Sequence, residues 1–233
     1  MTNRSLLRTA WRVGLATTPL WLAACVSVGL GGDVPAQAHY RLHDSAGVGA
    51  GTGAAAGASA PARLPAPLVP ALVIQPLPAD ATADTISVAY SPRPNVFGYY
   101  QFASWSERPV RQLPRLLQQR LEARGIAQAV GMVGEPLRAD WLLTLSIETL
   151  HHDTSTVPGS GRVTLSVELF DRRDRSRVAR QRFDASVPAA SADAPAATAA
   201  ISQAMSQTFD ALVPWLEAAL PPAVAKAAAA VSR

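Results

Sequence analysis

Apolar residues recur along the chain with two different periods, and the change of period marks out its elements. In residues 85–90, Ile86, Val88 and Tyr90 share one face, the two-residue period of a half-buried strand. Ala71, Leu72, Val73 and Ile74 form a short apolar run stopped by Pro76 and Pro78, which predicts another strand. Ser91-Pro92-Arg93-Pro94-Asn95 reads as a turn, and the aromatic-rich YYQFASW of 99–105 as an extended segment. The period then lengthens. Leu113, Leu116, Leu117 and Leu121 predict a helix, with Arg111, Arg115, Gln118, Gln119 and Glu122 on its polar side and Gly125 as its stop. Pro109 and Pro114 suit only first turns, so the regular part is expected from near residue 110.

Residues 140–188 return to the short period. Trp141, Leu143, Leu145 and Ile147 alternate with Leu142, Thr144, Ser146 and Glu148, and Val163, Leu165, Val167 and Leu169 alternate with Thr164, Ser166, Glu168 and Phe170. A third strand over 178–187 carries Arg180 and Arg182 on one face and Ala179, Phe183 and Val187 on the other. Such alternation is that of an antiparallel meander with one buried and one wet face. The last element, over 195–220, has Ile201, Ala204, Met205, Phe209, Leu212 and Leu216 at helical intervals, and Pro214 is expected to kink or end it. These elements describe an α+β domain over 71–220, a mostly antiparallel sheet with two helices packed on one face.

The remaining segments are of a different kind. Residues 45–70 are nearly all Ala, Gly, Pro and Ser and have little to bury, so they read as a flexible tether or a long inserted loop after a first short strand near 39–43. The tail over 221–233 is low in complexity and expected to fray. At the other end, Arg4, Arg8 and Arg12 precede an uncharged apolar run of about a dozen residues, a length suited to an export signal and short of the ~20 needed to span a bilayer. Leu22-Ala23-Ala24-Cys25 then resembles a bacterial lipobox, with 1–24 as signal peptide and Cys25 as the acylated residue. Cys25 is the single cysteine, so no intrachain disulfide competes for it. An uncleaved anchor continuing to Leu30, and cleavage after Ala36-Gln37-Ala38, are the alternatives.

Charge removes one function class. The chain carries a net +4, but three of its 21 basic residues precede Cys25 and none of its 17 acidic ones do. The processed chain is left with 18 against 17, a net +1, and no overall electrostatic reason to bind nucleic acid. His151-His152-Asp153 reads as an exposed strand end; neighbouring residues of a strand point to opposite faces, so the two imidazoles do not converge on a metal. The run DRRDRSR, with Arg172, Arg173 and Arg175, reads as a hairpin turn or as a grip for anionic head groups or a partner. Tyr99, Tyr100, Phe102 and Trp105 either close the core or face a partner, Trp105 suiting the core best. No nucleophile elbow, phosphate loop or HExxH stretch occurs in the sequence, and no cofactor is implied.

The order of motifs resembles the ABC-type transport auxiliary lipoproteins, outer-membrane partners of MCE-type lipid transport systems. The matching positions are Cys25; Tyr40 and Leu42; Ile86 to Tyr90; Tyr99, Tyr100 and Trp105; and Pro109 with the Leu113–Leu121 helix, closed by a last helix with Trp215. The resemblance implies a non-catalytic protein lipid-anchored on the periplasmic face of the outer membrane. It also implies contact with a periplasmic MCE protein, with ring-like self-association compatible with it. Val26, where an inner-membrane retention signal would place Asp, fits that address. A scaffold lipoprotein of another envelope assembly machine and a secreted hydrolase are the alternatives.

Overall fold

A single long strand, β6 (Trp141–Asp153), organises the sheet. The structure, a computed structural model, describes residues 36–45, 62–78 and 80–231. Cys25 and most of the Ala/Gly-rich segment lie outside the described residues. One edge of β6 pairs antiparallel with β7 (Ser160–Asp171), which pairs in turn with β8 (Ser176–Pro188), so the expected meander is present.

The other edge of β6 is shared. Its first half, Trp141 to Leu145, pairs with β2 (Val69–Pro76), and its end, His152 and Asp153, pairs with β3 (Ser87–Arg93). Both pairings are parallel. Leu77 N–H donates to the Leu145 carbonyl at 2.8 Å and Asp80 N–H to that of Ile147 at 3.1 Å, so the chain between β2 and β3 continues along the same edge. Beyond β3 lie β4 (Val96–Trp105), antiparallel to it, and β1 (Ala38–Tyr40), parallel to β4. Beyond β2 lies β5 (Ala127–Met132), parallel to it.

The eight-stranded sheet of the described residues is therefore mixed, not mostly antiparallel as expected. Alternation reports which face of a strand is buried; it carries no information on the direction of the neighbour. The short AQAVGM of β5 lacks a clean alternation, so its strand is not legible in the sequence.

Both helices contribute to one core cluster. α1 (Pro109–Arg124) inserts Leu113, Leu117 and Leu121, each fully buried, a stabilisation of about 1.5–3 kcal/mol apiece before entropy. Pro109 opens the helix, where its missing N–H costs nothing, and Gly125 closes it in the left-handed region at φ 76°. α2 (Ala194–Val231) covers the meander with Ile201, Ala204, Met205, Phe209, Leu212 and Leu216. Asp193 caps its start, accepting from Ala196 N–H at 2.9 Å. α2 does not end at Pro214 but runs on through Pro221 and Pro222. All three prolines lie on the exposed side, where carbonyls that lose an intrahelical partner can turn to water.

One irregularity sets the direction of the side chains at the end of β6. A bulge between Ile147 and Thr149 changes the phase of the strand, so Ile147 and Leu150 both reach the core and His152 follows Leu150 inward.

Candidate functional site

The two ends of the sheet carry opposite chemistry. At the end where β6 finishes, the β3–β4 and β6–β7 turns lie side by side, joined by Thr154 N–H donating to the Ser91 carbonyl at 2.8 Å. Asn95, at φ 62°, closes the first turn, and Val96, Phe97 and Tyr99 follow it in exposed positions; Val157 in the second turn is 87% exposed. Phe97 meets His151 edge-on at 5.3 Å between centroids.

Behind this surface the aromatic stretch turns inward. Tyr100 is half-buried against Tyr90 at 5.3 Å, and its hydroxyl lies 2.7 Å from His152 Nδ1. Burial raises the Tyr100 pKa, and Asp193 and Tyr90 add to the shift. Trp105 is in the core at 1% exposure, whereas Tyr99 and Phe102 remain open to solvent at 48% and 43%. The four aromatics of 99–105 are thus divided: two outward, one bridging to a histidine, one in the core.

The histidines depart from expectation. They do point to opposite faces, one to Phe97 and one to Tyr100, but both are buried instead of exposed. Phe97 packs on His151, while Tyr100 and the backbone at Gly159 crowd His152. Burial holds both imidazoles below their ordinary pKa; for His151 Asp153 opposes this, and for His152 the Pro158 carbonyl, Asp153 and Asp193 do. Among the described residues no group of three or more His, Cys, Asp or Glu could hold a metal ion.

At the opposite end, the β7–β8 turn presents Arg172, Arg173 and Arg175. Arg173 is committed locally: its guanidinium pairs with Asp171 at 2.6 Å and lies over the Trp141 ring at 5.5 Å. Arg172 donates to the Ala139 carbonyl at 3.0 Å. Arg175 holds the left-handed corner at φ 58°, exposed and with no ion pair among the described residues. The turn is a hairpin turn that still offers one uncommitted guanidinium. Below it, Arg177 and Arg180 pair with Glu168 at 3.0 and 3.4 Å and Arg182 with Glu148 at 2.7 Å, so the outer face of the meander is charge-matched.

A third feature escaped the sequence. The segment after β1 is strapped to both helices. Gln112 brackets Leu42, its Nε2 donating to the Leu42 carbonyl at 2.9 Å and its Oε1 accepting from the Leu42 N–H at 3.3 Å. Arg120, 1% exposed, donates through Nε to Asp44 Oδ2 at 2.7 Å, through Nη2 to Asp44 Oδ1, and through Nη1 to Asp210 at 2.6 Å. Burial alone would lower the Arg120 pKa, but the bonds to Asp44 and Asp210 raise it above the ordinary value. Ser45 N–H donates to Ser206 Oγ at 3.0 Å. The only sequence signal was weak: Gln112 lies four residues before Leu116 and Arg120 three after Leu117, spacings that put both beside the leucine stripe of α1.

Comparison with known proteins bears on what these surfaces serve. Residues 53–213 match the family model described as the ABC-type transport auxiliary lipoprotein component. None of the curated proteins compared with the chain matches it. Among solved structures, the Xanthomonas campestris protein XCC0632 is 24% identical, with a TM-score of 0.60 over 66% of this chain and 88% of that one. An uncharacterised protein is 13% identical, with a TM-score of 0.53 over 66% of this chain and 95% of that one. At these identities the likeness is one of fold. Among the described residues no helix is long and apolar enough to cross a membrane.

Proposed function

The chain belongs to the ABC-type transport auxiliary lipoprotein components, and from that premise we propose that it is a non-catalytic accessory of an MCE-type intermembrane lipid transport system. It is anchored through Cys25 to the periplasmic face of the outer membrane and binds the periplasmic MCE protein. The family match over residues 53–213 carries the reading. The strap from Leu42 to Asp44 supports it, since a lipid on Cys25 would connect to a chain segment built into the core. The contact residues we assign to the partner are Tyr99 and Phe102, exposed aromatics of the kind that anchor interfaces, and the β7–β8 turn with Arg172, Arg173 and Arg175. Tyr100 and Trp105 support that surface from behind.

Two measurements test this. Cys25→Ala should move the protein from the membrane to the soluble periplasmic fraction while its circular dichroism is unchanged; wild-type protein found free in the periplasm would refute the anchor. Affinity capture with the processed chain should recover an MCE protein. Recovery of an outer-membrane assembly component in its place would assign the chain to another envelope machine.

A further inference from the structure

The side-by-side turns at the end of β6 form an apolar tip. Residues 92–99 and 154–159 together carry a single charge, that of Arg93, and no carboxylate. Val96, Phe97 and Val157 are exposed at 40%, 45% and 87%. Large apolar side chains at loop tips, flanked by an arginine, are unfavourable in water and well suited to a phospholipid interface, where the guanidinium can stay with the phosphates.

The path of the chain says which end meets the membrane. β4 starts at the tip, and β1 runs parallel to it with Ala38 beside Ala103. Traced backwards from Ala38 to Ala36, the chain therefore heads towards the tip. Cys25 lies thirteen residues before Ala38, a contour of at most about 45 Å. From Ala103 back to Phe97 is about 20 Å of strand. The anchor thus has length enough to reach the plane of Val96 and Phe97. The Arg-rich β7–β8 turn is at the far end of the sheet, since Trp141 pairs with Asp171 there.

We propose that Val96, Phe97 and Val157 insert into the interface of the bilayer that holds the lipid anchor, fixing the domain upright with its β7–β8 turn directed away from the membrane. This rests on the lipoprotein reading and adds to it a second, protein-borne contact.

The test uses vesicles of phosphatidylethanolamine and phosphatidylglycerol carrying brominated acyl chains. The natively processed full chain is reconstituted in them, and in parallel the chain from Val26 is tethered by an N-terminal hexahistidine to nickel-chelating lipid. Phe97→Trp should add emission that the bromines quench by half or more in both preparations, while Val178→Trp, on exposed β8, should add emission that is not quenched. Equal quenching at the two positions, or none at Phe97→Trp, would overturn the proposal. So would a lower sedimentation coefficient for Phe97→Ser with Val157→Ser in the absence of lipid, together with no quenching, since the tip would then join copies of this chain. If the native chain fails to float with vesicles while the nickel-tethered chain shows tip-selective quenching, the Cys25 anchor fails and the tip contact stands.

Discussion

Arg120 and Asp44 form a two-point ion pair that is almost wholly removed from solvent, although 76 positions separate them. The pair joins the N-terminal segment to α1, and the same guanidinium reaches Asp210 on α2. Breaking a buried pair strands a charge without solvent, a penalty of about 3–5 kcal/mol. Asp44→Ala is therefore expected to lower the unfolding free energy by that amount in urea titrations. Asp210, with its side chain 56% exposed, should matter far less, and Asp210→Ala should cost under about 1 kcal/mol.

Gln112 acts on the same segment by hydrogen bonding alone. Gln112→Ala removes partners from both the N–H and the carbonyl of Leu42 in a buried setting, which should cost about 1–3 kcal/mol. Hydrogen exchange offers a local readout: the Leu42 amide should exchange faster in this variant, while amides of β6 and β7 keep their protection.

At Gly161 β7 packs directly against the backbone of α2. A Cβ there would collide with the backbone at Ala200 and Ile201, atoms that cannot turn aside. Gly161→Ala should destabilise by about 1–3 kcal/mol or more, as overpacking does. Thermal unfolding followed by far-ultraviolet circular dichroism checks it.

Acid should weaken the fold in two stages. His151 and His152 are held below the ordinary 6.5 mainly by burial, so the unfolded chain binds protons more readily than the native one. Their contribution is complete above that value and is lost as pH falls through it towards the depressed native values. Asp153, Asp171 and Asp193 are held below the ordinary 3.8 by hydrogen bonds, with an arginine assisting at the first two, so what they add remains until pH falls beneath it. Urea midpoints measured from about pH 7.5 down to about pH 4.5 should therefore fall first from the histidine stage. A His152→Asn variant that kept the full slope would refute the assignment to His152.

The sequence made legible whatever depends on one element alone. The leucine spacing of α1, its Pro109 start and its Gly125 stop all recur in the fold, as do the alternating strands of the meander and the core position of Trp105. What it did not show depends on partners distant in sequence. The parallel ladders of β2 with β5 and β6 leave no trace in periodicity. Residue type alone puts His151 and His152 in solvent; the bulge turns His152 towards Tyr100, and Phe97, from another turn, packs on His151. The exposed aromatics are half legible: Tyr99 and Phe102 stand out as candidates, while Phe97 and Val157 gain their meaning only because two turns far apart in sequence meet.

β1 has only three residues, and its consequence is mechanical. With the anchor proposed at Cys25, the domain is pulled by its own N-terminus whenever the membrane moves relative to whatever the domain grips. Force entering at Ala38 runs along a strand parallel to β4 and loads its few hydrogen bonds in shear, together rather than one at a time. Behind them the Leu42 and Asp44 fastenings would take up the remainder. The tug is thereby stopped at the rim of the domain, and the long β6–β7 ladder stays unstretched.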